Sequence, residues 1–219
     1  MKKYILALET SGTLCSAALA KNGKLLAEYN IFEANMHDKK MAELVRRLLA
    51  DFEITSEKLS YVAVSAGPGS FTGLRVGAAI AKGICFDNKP ELVPVPTLDA
   101  IALKAAMNNF EKKKITAIIP SHKDLIYHRT FSETGLAEGE IIIDKKSDFK
   151  PGEDVLLCGP GAGIFNDKVE NYLRQVTASD IAAKGYELAE QGKTVTAADF
   201  SPLYVQEFIP KTSKKKLFG

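Results

Sequence analysis

The first third of the chain alternates between strand-like and helix-like patterns of apolar residues. Short apolar runs at 4–8, 15–20 and 25–32 have the length and composition of β-strands. Asn22 and Gly23 separate the second run from the third, and an Asn-Gly pair between two such runs is a strong hairpin signal. We therefore predict a meander of three antiparallel strands.

An amphipathic helix is predicted next, over residues 37–52. Apolar side chains recur on one face at helical spacing, and charged side chains occupy the opposite face. The apolar set is Met41, Leu44, Val45, Leu48, Leu49 and Phe52, and the charged set is Lys40, Glu43, Arg46 and Arg47. A helix with this pattern buries one face and exposes the other.

The most informative motif is the stretch Gly67-Pro68-Gly69-Ser70-Phe71-Thr72-Gly73-Leu74-Arg75. It joins an apolar strand, predicted over 61–66, to a helix predicted over 73–86. Such a turn leaves backbone amides at a helix N-terminus, where an anion such as phosphate is favoured. The known phosphate loops do not match, because Leu74 follows Gly73 where a Walker loop needs Lys, and Thr72 takes the third glycine position of the dinucleotide fingerprint. The residues therefore favour a structural turn over a phosphate cradle.

The helix after this turn is apolar on nearly all sides, which predicts burial on all sides. Larger side chains are expected to cover a sheet: Leu74, Val76, Ile80, Ile84 and Phe86. Gly73, Gly77 and Ala81 recur every four positions and form a smooth strip. A glycine inside a helix costs roughly 1 kcal/mol relative to alanine, so the strip needs a packing reason. We predict that a second helix lies against it, either the 37–52 helix or a helix of another subunit, and the sequence leaves both open.

The order of the elements indicates a mixed sheet. Three antiparallel strands are followed by helix, strand, helix and a short strand at 92–95, and strands joined through helices pair in parallel. This is the order of a ribonuclease H-like module.

The second half of the chain has weaker signals. A helix is predicted over 98–110, strands over 115–119, 125–131 and 155–158, and helices over 164–173 and 179–191. Residues 159–163 form a second glycine-rich turn between a strand and a helix. We place a soft boundary near Leu103, which gives an N-terminal domain at 1–103 and a C-terminal domain at 104–219. The segment 201–208 could pack back on either half.

Composition narrows the class of function. The 29 basic and 27 acidic residues give a formal charge of +2, which argues against the large basic surface of a nucleic-acid-binding protein. Cys15, Cys85 and Cys158 lie far apart, which predicts buried thiols in a reducing compartment. The apolar run at 4–8 ends at Glu9, too early for a signal sequence or a membrane span, so the expected location is the cytoplasm.

Several stretches of the chain resemble the TsaB family, also called YeaZ. They are the start Leu6-Ala7-Leu8-Glu9-Thr10-Ser11, the pattern around His37 and, above all, the glycine motif at 67–75. The resemblance is strong in the first half and thinner beyond it. Near the C-terminus, Pro202-Leu203-Tyr204-Val205-Gln206 stands where the family has Pro-x-Tyr-Leu-Arg.

The resemblance implies an α/β protein with an actin-like ATPase (ASKHA) fold, made of two ribonuclease H-like halves with mixed sheets flanked by helices. It implies a non-catalytic scaffold or activating subunit, and not an enzyme, required for the threonylcarbamoyl modification of adenosine in tRNAs that read codons starting with adenine. The implied partners are a TsaD-like catalytic subunit and a TsaE-like ATPase. A homodimer is expected when the chain is alone, tRNA is expected to be contacted only through the complex, and no membrane is involved. ATP or ADP and metal are expected on the partner subunits, and no cofactor is required by this chain.

Two sets of candidate site residues follow, an interface set from the small-residue strip and a nucleotide-binding set from the resemblance. The interface set lies on the first two predicted helices: Met41, Leu44, Val45, Leu48, Gly73, Arg75, Val76, Gly77, Ile80 and Ala81. A weaker nucleotide-binding set lies at two turns where actin-like kinases hold a nucleotide: Glu9, Thr10, Ser11, Gly12, Gly159 and Gly161. If those turns bind nucleotide, the chain is an active actin-like ATP-binding phosphotransferase or ATPase, which is the alternative function.

A metal site is not expected. The related catalytic subunit binds metal through two histidines four positions apart on a helix, a spacing that puts both rings on one face. This chain has only His37, His122 and His128, and no two of them have that spacing. All three are expected to be surface histidines or histidines with ordinary hydrogen-bond partners.

Overall fold

Two β-sheets with helices between and outside them form the protein, described here from a computed structural model over residues 2–33, 36–87 and 89–203. The strands are β1 (Tyr4–Glu9), β2 (Cys15–Lys21), β3 (Lys24–Ile31), β4 (Leu59–Gly67), β5 (Glu91–Pro96), β6 (Lys114–Pro120), β7 (Leu125–Phe131), β8 (Ile142–Lys145) and β9 (Val155–Cys158). The α-helices are α1 (His37–Asp51), α2 (Phe71–Ile84), α3 (Thr97–Met107) and α4 (Ala178–Glu190).

The first sheet has the strand order β3-β2-β1-β4-β5. β1, β2 and β3 pair antiparallel, whereas β1, β4 and β5 pair in parallel. Asn22 and Gly23 at the tip of the β2–β3 hairpin have positive φ angles of 48° and 76°, as the Asn-Gly signal predicts. The predicted meander and the ribonuclease H-like order are both confirmed.

The four strands of the second sheet have the same order and directions as β3, β2, β1 and β4 of the first sheet. Its order is β8-β7-β6-β9, with β6, β7 and β8 antiparallel and β6 and β9 parallel. Two such modules with helices between their sheets form the actin-like ATPase fold that the resemblance implies.

The second module does not contain the helix predicted over 164–173. Two short 3-10 helices, Ala162–Ile164 and Asn171–Arg174, stand there instead. The Arg174 guanidinium donates hydrogen bonds to the carbonyl oxygens of Asp167 and Val169. These carbonyls are bonded by a side chain, whereas an α-helix would bond them to backbone amides four residues on.

Each face of the first sheet is covered by different helices. Leu6 and Leu8 pack in a core under α1 and α2, whereas Ile5 and Ala7 pack in a second core under α3 and α4. Strands buried on both faces are expected to be apolar throughout, and β1 is. Because β3, β4 and β5 all run parallel to β1, α1 and α2 run in the same direction from one end of the sheet to the other.

The chain returns to the first sheet after α4. Val195 N donates to Leu92 O at 2.9 Å on the edge of β5, and Phe200 is 3% exposed in the core under α1 and α2. Leu203 N then donates to Ala66 O at 2.7 Å, so this part of the predicted segment 201–208 packs on the N-terminal half, and residues 204–208 lie outside the described residues. The soft boundary near Leu103 lies within α3, and the division into 1–103 and 104–219 stays a prediction.

Candidate functional site

Three segments meet at the carboxyl end of the first sheet, and we call this place the loop junction. They are the β1–β2 turn (residues 10–14), the β4–α2 loop (residues 67–70) and Leu203. β1 and β4 are parallel neighbours, so their carboxyl ends and the turns after them lie side by side. The loop junction therefore brings part of the predicted nucleotide-binding set next to the glycine motif.

Glu9 ends β1 and is fully buried. Its Oε1 accepts hydrogen bonds from the backbone N–H of Ser11 at 2.6 Å and from the Ser11 hydroxyl at 2.5 Å. Its Oε2 has no hydrogen-bond partner among the described residues. Burial raises the pKa of the Glu9 carboxyl to about 7, although the bonds from Ser11 favour the ionised form. Glu9 thus fixes the β1–β2 turn through a carboxyl group that changes charge near neutral pH.

The glycine motif closes directly on the β1–β2 turn. Ser70 N donates to Ser11 O at 2.7 Å, and Ser70 Oγ caps α2 by accepting from Gly73 N at 3.2 Å. A Cβ on Gly73 would lie 1.9 Å from Thr10 O, and a Cβ on Gly69 would lie 2.4 Å from Ser11 O. Glycine is required at both positions because two backbones touch. This packing supports the interpretation of the motif as a structural turn.

The small-residue strip of α2 lies against the first sheet, which corrects the prediction that a second helix covers it. A Cβ on Gly77 would lie 3.3 Å from Val64 Cγ2 in β4 and closer still to Thr10 Oγ1. The space between this glycine and the sheet therefore has no room for a side chain. Ala81 is fully buried in the core under α1 and α2. The glycines let the helix backbone approach the sheet closely. A helix that is apolar on all sides does not show from its sequence which side faces inward.

Most of the predicted interface residues are buried in the chain's own core, which corrects their placement on a surface. The buried members are Met41, Leu44, Val45, Leu48, Gly73, Gly77 and Ala81. Arg75 is exposed, and Val76 and Ile80 are half-buried. These three side chains have the most surface open to another molecule, and the interface role of the whole set stays a prediction.

The surface that α2 presents to solvent is also smooth. We call it the α2 outer face, formed by Thr72, Arg75, Val76, Ala79, Ile80 and Gly83. Ala79 is exposed, and a Cβ on Gly83 would have no atom within 4 Å. The Arg75 guanidinium lies 4.0 Å from the centroid of the Phe71 ring, and Phe86, just beyond the helix, is 81% exposed. The small pair Ala79 and Gly83, one turn apart, was a signal for this face that the sequence analysis passed over.

The second glycine turn packs against its own sheet. Gly159 has a φ of 89°, and a Cβ there would lie 2.5 Å from Ile118 O. Gly161 N donates to Ile118 O at 2.9 Å, and a Cβ on Gly161 would lie 2.6 Å from Ile118 Cγ2. Close packing against β6 explains why both positions are glycine. These contacts are separate from those that join Glu9, Thr10 and Ser11 to the first glycine motif. A Cβ on Gly12, the remaining member of the set, would meet no atom within 4 Å.

The N-terminus of α4 is closed by side chains of the first sheet, an arrangement that the sequence analysis missed. Ala178 N donates to Ser16 Oγ at 2.9 Å, and Ser179 N donates to Glu28 Oε1 at 2.6 Å. Thr177 and Asp180 form a capping box, in which Thr177 N donates to Asp180 Oδ2 at 2.9 Å. The spacing of Thr177 and Asp180 is the sequence signal for this box.

Asp180 also joins α4 to α3 through an ion pair. Lys104 Nζ in α3 lies 2.7 Å from Asp180 Oδ2. Burial raises the pKa of the Asp180 carboxyl, and the Lys104 ammonium opposes this shift.

Histidines and cysteines form no site in the described part of the chain. No group of three or more His, Cys, Asp or Glu side chains within residues 2–33, 36–87 and 89–203 could hold a metal ion. His128 is buried with Nε2 2.8 Å from Asp144 Oδ2, His122 is exposed, and the side chain of His37 lies outside what the structure describes. The three cysteines are free and buried, as predicted, and burial raises the pKa of the Cys15 thiol to about 11 and of the Cys85 thiol to about 12.

Known proteins resemble this chain over nearly its whole length. It is 28% identical to the tRNA threonylcarbamoyladenosine biosynthesis protein TsaB of Haemophilus influenzae, over 98% of this chain and 97% of that protein. The TsaB of Escherichia coli is 25% identical over 98% of both chains. The solved structure of YeaZ from Pseudomonas aeruginosa is 22% identical, covers 93% of this chain and superposes with a TM-score of 0.78 over its whole length.

These near-full-length matches support a place for the chain in the TsaB family. The sequence model of a related family, TsaD, described as tRNA N6-adenosine threonylcarbamoyltransferase, matches residues 32–135. A transferase of that name from Lactococcus lactis is 29% identical over 57% of this chain and 42% of its own length. The segment that this chain shares with the TsaD model therefore begins after β3 and includes α1, α2 and the glycine motif. In the residues that the structure describes, no helix has both the length and the apolar character needed to cross a membrane.

Proposed function

We propose that the chain is a non-catalytic scaffold subunit for the threonylcarbamoyl modification of adenosine in tRNAs that read codons starting with adenine. The names of its full-length relatives support the pathway, since they are tRNA threonylcarbamoyladenosine biosynthesis proteins. The observation that carries the non-catalytic part is that the chain's own atoms bond amides at the N-termini of α2 and α4.

At α2 the amides of Ser70 and Gly73 are bonded to Ser11 O and Ser70 Oγ. At α4 the first amides are bonded to Ser16, Glu28 and the capping box. A phosphate group would have to displace a backbone carbonyl at the first site and a carboxylate at the second. These contacts support the proposal that this chain needs no nucleotide, and we place ATP or ADP and metal on the partner subunits.

The Glu9 Oε2, which has no hydrogen-bond partner among the described residues, is a feature that favours the alternative of an active ATPase. It is a buried acceptor beside the glycine motif, so it could receive a hydrogen bond or face a cation. In its ionised form, however, it disfavours a phosphate, because both groups are then negatively charged and the carboxylate offers only acceptors. The scaffold function explains more of the site than the ATPase function does.

The α2 outer face is the surface that we propose for the TsaD-like subunit. It combines an exposed arginine with small and half-buried apolar residues, and two exposed aromatic side chains, Phe52 and Phe86, follow the ends of α1 and α2. Because the shared segment 32–135 includes both helices, a TsaD-like partner offers a similar pair of helices. Two such pairs can meet about a pseudo-twofold axis, as the two chains of a homodimer can.

The wider assembly follows from this pairing. A TsaE-like ATPase joins the pair, tRNA is contacted through the complex, and the chain works in the cytoplasm. Alone, it forms a homodimer through the same face.

The test replaces Ala79 by tryptophan and measures binding to the matching TsaD-like subunit. We expect Ala79→Trp to weaken the complex about tenfold or more, because a bulky side chain overpacks a close helix contact. Light scattering gives the mass of the complex, and calorimetry gives the dissociation constant. Gly77 is unsuitable for this test because a Cβ there would lie 2.4 Å from Thr10 Oγ1 inside the chain's own core.

Met107→Trp is the matched control, since Met107 is a 67% exposed residue at the end of another helix, α3. This variant should bind like the parent chain. Equal affinities of Ala79→Trp and Met107→Trp, with both variants folded, would show that the α2 outer face is not the interface. No complex between the parent chain and its TsaD-like subunit would remove the scaffold function itself.

A further inference from the structure

The segment from residue 192 to residue 203 runs around the free edge of the first sheet, and we call it the tether. It meets β5 only at the beginning of that strand, where Val195 N donates to Leu92 O at 2.9 Å and Thr194 Oγ1 donates to Glu91 Oε2 at 2.6 Å. Pro94 and Pro96 have no N–H, so the rest of β5 cannot form a full strand ladder with it. The tether is held to the edge at one point and continues beyond it.

Phe200 is the central anchor of the tether. Its side chain is 3% exposed in the core under α1 and α2, although the tether starts from α4 on the opposite face. A local turn places it, because Phe200 N donates to Thr196 O at 3.2 Å and Thr196 Oγ1 donates to Asp199 Oδ2 at 2.6 Å. The tether therefore crosses from one face of the sheet to the other before it reaches residue 203.

The end of the tether sits on the start of the glycine motif. Leu203 N donates to Ala66 O at 2.7 Å, the last residue before Gly67. Gly67 has a φ of 108°, and a Cβ there would lie 2.8 Å from Leu203 O. The backbone of Leu203 thus packs closely against the backbone of both Ala66 and Gly67. Pro202 and Leu203 open the sequence motif that resembles the family's C-terminal Pro-x-Tyr pattern, and this contact gives that part of the chain a place in the fold.

We propose that the tether positions the β4–α2 loop and thereby sets the affinity of the α2 outer face for its partner subunit. The proposal rests on the proposed function for its partner. α2 begins at Phe71, directly after the loop, and its first turn carries the Phe71–Arg75 contact. A loop already held in its bound conformation loses less conformational freedom when the partner binds, so the docked tether strengthens binding without touching the partner. By linkage, partner binding strengthens tether docking by the same factor.

Two full-length variants at one position separate the hydrogen bond from the side chain. Leu203→Pro removes the N–H that bonds Ala66, whereas Leu203→Ala keeps it and shortens a side chain that is 44% exposed. Amide hydrogen exchange of residues 66–75 measures the loop directly, without any partner. We expect exchange there to be about tenfold faster in Leu203→Pro than in Leu203→Ala, with the rest of the first sheet unchanged. Binding to the TsaD-like subunit should weaken several-fold in Leu203→Pro only.

Equal exchange in the parent chain and both variants would overturn the proposal, because the tether would then not control the loop. Faster exchange with unchanged affinity would overturn the link between tether and partner. If the parent chain itself forms no complex, the proposed function fails and the link fails with it. The exchange result still decides whether the tether holds the loop, so the two failures are distinguishable.

Discussion

At the scale of single residues, Glu9 has the most unusual chemistry. Its carboxyl is fully buried, and its pKa is raised from 4.5 to about 7, mainly by burial. Because the folded pKa lies above the unfolded one, the folded state binds more protons between these two pH values. Glu9 therefore contributes stability that is complete below about pH 4.5 and is lost as the pH rises through about 7.

Glu9→Gln should remove this pH dependence. Glutamine keeps an acceptor for the two bonds from Ser11 and cannot ionise. Between pH 4.5 and 7, the free energy of unfolding of the parent chain should fall relative to that of Glu9→Gln by on the order of 3 kcal/mol. Urea unfolding over this pH range measures the difference, which cancels the other titrating groups. Two parallel curves would mean that the Glu9 carboxyl is already solvated in the folded chain.

The glycines of α2 show what a sequence tells about a site and what it does not. Their four-residue spacing correctly predicts that something approaches the helix closely. Periodicity cannot say what approaches, because α2 has apolar residues on nearly all sides, and only the fold brings Thr10 to Gly73 and Gly77. The actual outer face was hidden for the same reason.

At the scale of elements, polar side chains of the first sheet bond the N-terminus of α4. Glu28 in β3 places a carboxylate oxygen 2.6 Å from Ser179 N, at the positive end of the helix dipole. We expect Glu28→Ala to lower the free energy of unfolding by about 1–2 kcal/mol, because Ser179 N loses a charged acceptor in a partly buried place. Chemical unfolding monitored by circular dichroism gives this value.

Glu140→Ala is the matched control, since Glu140 is an exposed glutamate outside the helices and strands. It should leave the stability within experimental error of the parent value. Equal midpoints for Glu28→Ala and Glu140→Ala would show that the Glu28 contact adds nothing to stability and that packing alone positions α4.

Elements were predicted well where one local signal dominated and poorly where several were weak. The Asn22-Gly23 hairpin and the amphipathic α1 have clear signals, and both are present. The region 164–173 mixes apolar and polar residues without a sustained period, and its backbone is held by Arg174, a contact that no local pattern encodes. The same limit applies to Ser16 and Glu28, which meet α4 across more than half of the chain.

At the scale of the whole molecule, the order of strands and helices was enough to predict the first module and, through the resemblance, its repeat. The order of the elements could not predict how the loops at the carboxyl ends of the strands pack against one another. In the first module, the β1–β2 turn and the β4–α2 loop, where a nucleotide was expected as an alternative, contact each other through their backbones. The surface that we propose for the partner is the outer side of α1 and α2, two helices that lie within the segment 32–135 matched by the TsaD model.

One face cannot bind two partners at once, so the homodimer and the complex with the TsaD-like subunit should exclude each other. Adding the TsaD-like subunit to the purified chain should convert a species of two identical subunits into one that contains one copy of each, because we propose the α2 outer face for both contacts. Native mass spectrometry at increasing ratios of the two proteins follows this exchange, with Met107→Trp as the variant that should behave like the parent. Ala79→Trp should weaken both species together. A stable assembly that keeps two copies of this chain in contact through α2 while a TsaD-like subunit is bound would place the partner on a different surface.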